Sequence, residues 1–195
     1  MDLLTFSSGV FSTLLGVFVM VFATKTVERK KQELESEKSL KLLYIELNDI
    51  QTDCKNNLLD MRETFLKSQR LQKGICKWAD INELDFPRPL ILVVLESTLD
   101  KCFHLLTYPQ RNALRTILYL SNELKIEINN FMLNIDFNKL TPQDILKMKT
   151  CLSTLCVLYH QALNLSEQKE RYIEIDKNPD KIMEDVLSSL HISIT

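Results

Sequence analysis

Glycine is nearly missing from this 195-residue chain: there are three, and Gly74 is the only one after Gly16. Phosphate-cradling loops, dinucleotide-binding turns and tight β-hairpins all lean on glycine. A chain this poor in it cannot build many of them, and the expected fold class is all-α. Histidine is scarce too. His104, His160 and His191 are scattered, with no second histidine at i,i+3 or i,i+4, so no zinc site is expected. The five cysteines, at 54, 76, 102, 151 and 156, show no Cys-x-x-Cys spacing. An odd count in a domain expected to face the cytoplasm reads as reduced core thiols. Net charge is only −2, which argues against a strongly basic nucleic-acid binder and against an acidic disordered tail. Aromatic and basic residues do not interleave as they do in single-strand binders. No cofactor, no metal and no direct nucleic-acid contact are expected.

Charge is also missing from Leu3 to Thr24, a run of 22 residues. As a helix this run is about 33 Å long, enough to cross a ~30 Å hydrocarbon core. Val21-Phe22-Ala23 would serve as a signal-peptide cleavage site, but Met1-Asp2 carries no Lys or Arg and the apolar stretch is long for a leader. The cations lie on the far side, at Lys25, Arg29, Lys30 and Lys31. By the positive-inside rule that flank stays in the cytoplasm. The expectation is an uncleaved single-pass anchor in the cell membrane over residues 3–24, N-terminus out. Its side chains are sorted by size. Thr5, Ser8, Gly9, Ser12, Thr13, Gly16 and Ala23 fall on one half of the helix, and Phe6, Val10, Phe11, Leu14, Val17, Phe18, Val21 and Phe22 on the other. Lipid tails suit the large half. The small half either bonds its own backbone, as Ser and Thr do in many membrane helices, or lets a second helix approach closely or lines a wet path. No Asp, Glu, Lys or Arg sits within the span, which argues against a proton relay there.

Residues 25–39 read as a polar juxtamembrane stalk, with Lys30–Glu33, Lys31–Glu35 and Glu37–Lys41 spaced to support an exposed helix. Residues 40–195 read as a cytoplasmic antiparallel helical bundle. Leu43, Leu47, Ile50, Cys54, Leu58, Met61 and Phe65 step by three and four, and Lys73-Gly74 ends that helix. Residues 81–88 form a linker. Pro89-Leu90-Ile91-Leu92-Val93-Val94-Leu95 opens a buried helix continued by Leu99, Cys102, Phe103 and Leu106. A third helix carries Ala113, Ile117, Leu120, Leu124, Ile128, Phe131 and Ile135. A fourth starts at Thr141-Pro142, an N-cap followed by proline, and turns Ile145, Met148, Leu152, Leu155, Tyr159 and Leu163 inward. Asn178-Pro179 opens a short last helix to about Leu190. The count is four long helices and a short one.

Nothing in the sequence assembles a catalytic constellation. Glu96/Asp100 and Glu123/Glu127 are i,i+4 acidic pairs and read as solvated faces. One near-match concerns RNA. Helical-bundle ribonucleases of the HEPN type carry Arg, a polar residue, then His after a gap of four to six. Arg111-Asn112 supplies the start, but the His slots hold Thr116, Ile117 and Leu118. Without an imidazole there is no general acid/base for that cleavage. Arg111 and Arg115 otherwise read as exposed helix residues.

As a layout, the apolar helix at 3–24, the stalk and the bundle with its degenerate Arg111-Asn112 resemble the small single-pass accessory proteins of type VI-B CRISPR–Cas loci, which carry a divergent HEPN-like bundle. The missing His departs from the HEPN pattern. The resemblance implies a homo-oligomer in lipid, a membrane pore, and antiviral defence triggered by an RNA-guided effector as protein partner. Three functions follow as expectations. The first is a non-enzymatic effector that self-associates through its membrane helix. The second is a tethered adaptor whose bundle binds a partner, and the third a degenerate membrane-bound ribonuclease.

Overall fold

The computed structural model describes residues 3–78, 81, 84–136, 139–174 and 178–194, with side chains from Gly16 onward apart from Val93. Five α-helices make it up: α1 (Leu3–Gln72), α2 (Val93–Cys102), α3 (Tyr108–Asn134), α4 (Pro142–Gln168) and α5 (Pro179–Ser189). Single 3-10 turns at Phe103–Leu105 and Lys169–Arg171 follow α2 and α4. Among the described residues there is no strand, so the fold is all-α, as glycine scarcity predicts. The expected count needs correction: α2 has only ten residues, leaving three long helices and two short ones.

α1 dominates the molecule. Its 70 residues extend about 105 Å at 1.5 Å per residue. No proline or glycine interrupts it between Gly16 and Gly74. It stops where the sequence says it should. Gly74 takes φ +68°, and the Ile75 and Gly74 N–H groups donate to the carbonyls of Arg70 and Leu71, at 2.9 Å each. This pair of bonds satisfies the orphan carbonyls of the last turn and requires a left-handed residue, which glycine adopts without a Cβ penalty.

The helices alternate in direction. Gln51 of α1 reaches Tyr159 of α4 at 3.4 Å, and Gln110 at the start of α3 reaches Tyr44 at 3.1 Å. Lys169, just past α4, lies over the Tyr44 ring, so α4 runs antiparallel to α1; Phe131 near the end of α3 meets Phe86, next to the Asp85 carbonyl that Thr64 holds, so α3 runs parallel to α1. α1 packs chiefly on α4 and α2, and α4 also packs on α3 and α5. The α1 stripe expected from its spacing is the core: Leu43, Leu47, Ile50, Cys54, Leu58, Met61 and Phe65 are all buried. α4 exceeds its expected single face. Met148, Leu152, Leu155 and Tyr159 are buried, and so are Cys151, Cys156, Leu158, Ala162 and Leu165, because neighbours press on it from several sides.

The expected helix start near Pro89 is also corrected: α2 begins at Val93, and Ile91 is exposed. Two buried polar residues on α1, two turns apart, hold the chain extended before it. Asn57 accepts the Arg88 N–H and donates to the Arg88 carbonyl, both at 2.9 Å. The Thr64 hydroxyl donates to the Asp85 carbonyl at 2.5 Å. Backbone groups engaged this way are not free to close helical turns.

The N-terminal part of α1 leaves the bundle. Residues 16–35 are exposed without exception, and Ser36 is the first buried one. Among the described residues no helix is long and apolar enough to cross a membrane. The side chains of residues 3–15, more than half of the expected span, lie outside the described residues.

Candidate functional site

The first turn of α3 holds Arg111 and Asn112, and its shape is set locally. Thr107 is the N-cap. Its backbone N–H donates to the Gln110 side chain at 2.6 Å, and its hydroxyl accepts the Gln110 N–H at 3.5 Å. This reciprocal capping box, with Pro109 just inside the helix, follows from Thr-x-x-Gln at 107–110. One residue on, the Arg111 guanidinium lies 5.0 Å above the Phe103 ring, with that of Arg115 at 5.8 Å. Two cations thus contact one ring, each contact worth about 0.5–2 kcal/mol depending on desolvation. The Arg111 Nε is buried without a hydrogen-bond partner. Of the three positions where HEPN chemistry needs an imidazole, Thr116 donates its hydroxyl to the Asn112 carbonyl at 3.1 Å, Ile117 is fully buried core and Leu118 packs against that core. Arg111 therefore lies over an aromatic ring, with apolar or self-bonded side chains where an acid/base would stand.

Beside it lies a junction that spacing alone does not reveal. Gln110 is 2% exposed and ties three helices. Its amide nitrogen donates to the Tyr44 hydroxyl at 3.1 Å and to the Lys169 carbonyl at 2.9 Å. The Lys169 ammonium sits 5.6 Å over the Tyr44 ring, and Lys169 takes a positive φ of 48°. Burial pushes the Tyr44 phenol up, against the opposing pull of the Gln110 bond. The Thr-x-x-Gln capping signature was the available sequence signal for Gln110. Nothing in the sequence gave its long-range partners.

The cysteines are free thiols: Cys54, Cys102, Cys151 and Cys156 are buried, and Cys76 is half-buried. Burial raises all four buried thiols, Cys156 to about 12 and Cys151 to about 11, away from the thiolate a nucleophile or metal ligand needs. Among the described residues no group of three or more His, Cys, Asp or Glu side chains is placed to hold a metal. A 220 Å³ cleft between the end of α3 and the start of α4 is lined by Glu127, Asn130, Asp144 and Lys147 over Cys151. Of its two carboxylates, Asp144 is already bonded to the Thr141 N–H and hydroxyl.

Of the small face expected on the apolar helix, Gly16 and Ala23 have described surroundings: both are exposed, and a Cβ on Gly16 would meet nothing within 4 Å. Thr5, Ser8, Gly9, Ser12 and Thr13 lie in the helix, but their side chains are outside the described residues. Beyond Gly16 the circumference is apolar all round. Val17, Phe18, Val19, Met20, Val21 and Phe22 are 48–72% exposed. Thr24 and Thr26 donate their hydroxyls to the carbonyls of Met20 and Phe22, both at 2.8 Å, so these polar groups are satisfied within the helix. No protein-family model, no curated protein and no solved structure matches this chain.

Proposed function

We propose that the chain is a non-enzymatic membrane effector, anchored by residues 3–24 and assembled from several copies through the small face of that helix. The observation that carries this reading is the unbroken apolar belt at residues 17–22. Six successive residues at about 100° each pass right round a helix. A surface helix of a soluble domain needs only one apolar stripe, whereas a helix apolar on every side needs cover on every side. Lipid supplies that cover, and the charge-free run back to Leu3 extends the belt to membrane thickness. The basic flank from Lys25 to Lys31 sets the N-terminus outside and the bundle in the cytoplasm. Thr5, Ser8, Gly9, Ser12, Thr13 and Gly16 then face a neighbouring helix, where small side chains permit close backbone approach. The resemblance to type VI-B accessory proteins extends the proposal to a pore in antiviral defence that answers to an RNA-guided effector.

The test uses the full chain in membranes. It should resist carbonate extraction, and a reporter fused after Thr195 should be active only in the cytoplasm. Gly16→Leu and Ser12→Leu should still insert but lower the oligomer size in detergent and abolish dye release from vesicles. Replacing residues 3–24 with polyleucine should do the same. Extraction of the wild-type chain by carbonate would refute the anchor. Full assembly and dye release by the polyleucine chain would reduce the helix to a tether and favour the adaptor function.

A further inference from the structure

α1 has an unpartnered surface inside the bundle, well away from residues 3–24. Opposite its buried stripe, positions 42, 45, 49, 52, 56 and 59 are all exposed, at alternating three- and four-residue steps. Leu42, Ile45 and Leu59 are 40%, 56% and 45% exposed, and Ile45, Thr52 and Leu59 stand seven apart. The two edges of this stripe differ in charge. Glu46, Asp53 and Asp60 line one edge at intervals of seven. Lys41, Asn48, Lys55 and Arg62 line the other, also at intervals of seven. The basic edge borders α4 and the chain end, where Arg62 donates to the Ser193 carbonyl at 2.6 Å and pairs with Glu63. The acidic edge borders the extended segment, with Arg88 beside Asp53 and Asp60.

We propose that this face is the contact between copies of the chain, with two α1 helices parallel and in register and Ile45, Thr52 and Leu59 at the seam. In a parallel pair, opposite edges meet five residues apart, the register in which flanking charges select coiled-coil partners. Lys41 then faces the partner's Glu46, and Lys55 faces the partner's Asp60. An antiparallel pair would set acidic edge on acidic edge, so the charge pattern selects the parallel arrangement. On the acidic edge, burial first, then the neighbouring Asp49 and Asp53, push the Glu46 carboxyl up, a crowding of like charge that a partner's cation would relieve. Of the remaining seam positions, Leu42 is apolar, whereas Asp49 and Asn56 make the contact weak, and Asn56 favours one register. A weak contact suffices once both chains are held in one membrane, because tethering raises their effective concentration. The face lies outside residues 3–24 and is tested separately from them.

The experiment places Thr52→Cys in the full chain in lipid vesicles, with Cys76→Ser removing the half-buried native thiol. Mild oxidation should give a disulfide-linked dimer well above the level of Thr150→Cys, an exposed α4 position that reports random collision. Adding Lys41→Glu with Lys55→Glu should cut the cross-link at least tenfold, as should adding Glu46→Lys with Asp60→Lys. Mixing the two charge variants should restore it, which separates lost complementarity from lost folding. No dimer above background, insensitivity to the charge reversals, or failure of the mixture to recover would each overturn the inference. Gly16→Cys cross-linking in parallel samples reports the membrane-helix contact on its own, so either contact can fail without the other.

Discussion

Replacing Gln110 with alanine tests whether the three-helix junction holds the bundle together where the stalk enters it. The side chain is 2% exposed and makes three bonds, to the Thr107 N–H, the Tyr44 hydroxyl and the Lys169 carbonyl. Each intramolecular bond contributes about 1 kcal/mol net, and a buried group left unpaired costs about 1–3 kcal/mol. The Thr107 N–H also loses its capping partner. The Tyr44 hydroxyl, half-buried, recovers water more easily. The sum is about 2–4 kcal/mol. For a chain of this size that corresponds to a fall in Tm of about 4–16 °C, read by circular dichroism at 222 nm on the full chain in detergent. Tyr44→Phe alone should cost about 1 kcal/mol. The double variant should show a coupling of about 1 kcal/mol, because both residues serve one bond. A loss under about 0.5 kcal/mol for Gln110→Ala, the level of an ordinary surface substitution, or additive effects in the double variant, would refute the junction.

Two further outcomes are expected. Thr141→Ala should cost about 1 kcal/mol at neutral pH through loss of the N-cap; its hydroxyl and N–H hold the Asp144 carboxyl below its usual value, so that share of stability is present above the unfolded pKa, is lost as pH falls through the folded one, and the gap between variant and wild type should narrow in acid, with NMR titration showing Asp144 moving back up in the variant. A thiol reagent at pH 8 should label one cysteine quickly, Cys76, and the buried four only on unfolding, since burial raises all of those; fast labelling of two or more would contradict the packing.

What the sequence shows plainly is periodicity, and periodicity is legible where a helix buries one side. The α1 core from Leu43 to Phe65 is such a case. α4 is not: with α1, α3 and α5 around it, a one-sided template finds Met148, Leu152, Leu155 and Tyr159 and misses Cys151, Cys156 and Leu158. In α3 the template places Leu120 in the core, whereas the structure buries Ser121 and leaves Leu120 at the margin, a shift of about 100° that the pattern hides because Leu120 is apolar and Ser121 polar. The start of α2 was hidden for a different reason. The apolar run from Leu90 to Leu92 suits a helix, but Asn57, thirty-one residues earlier, occupies the Arg88 backbone. Arg111 is similar. Its spacing marks a helix start, while its stacking depends on Phe103 coming back across a 3-10 turn and a capped corner.

The uninterrupted course of α1 gives the molecule a lever. From Ser36, where the helix leaves the bundle, back to Val17 is about 28 Å at 1.5 Å per residue. Sharp bends in helices arise at proline, Gly/Ser pairs or inserted groups, and no proline or glycine lies between Gly16 and Gly74. A tilt of about 10° at the bundle would therefore sweep Val17 through about 5 Å, close to half a helix diameter. Rotation about the helix axis would pass along it undiminished. Small repacking around Tyr44, Gln110 and Lys169 would reach the apolar belt at residues 17–22 as a displacement of about half a helix diameter, enough to change which side chains it presents to a neighbour.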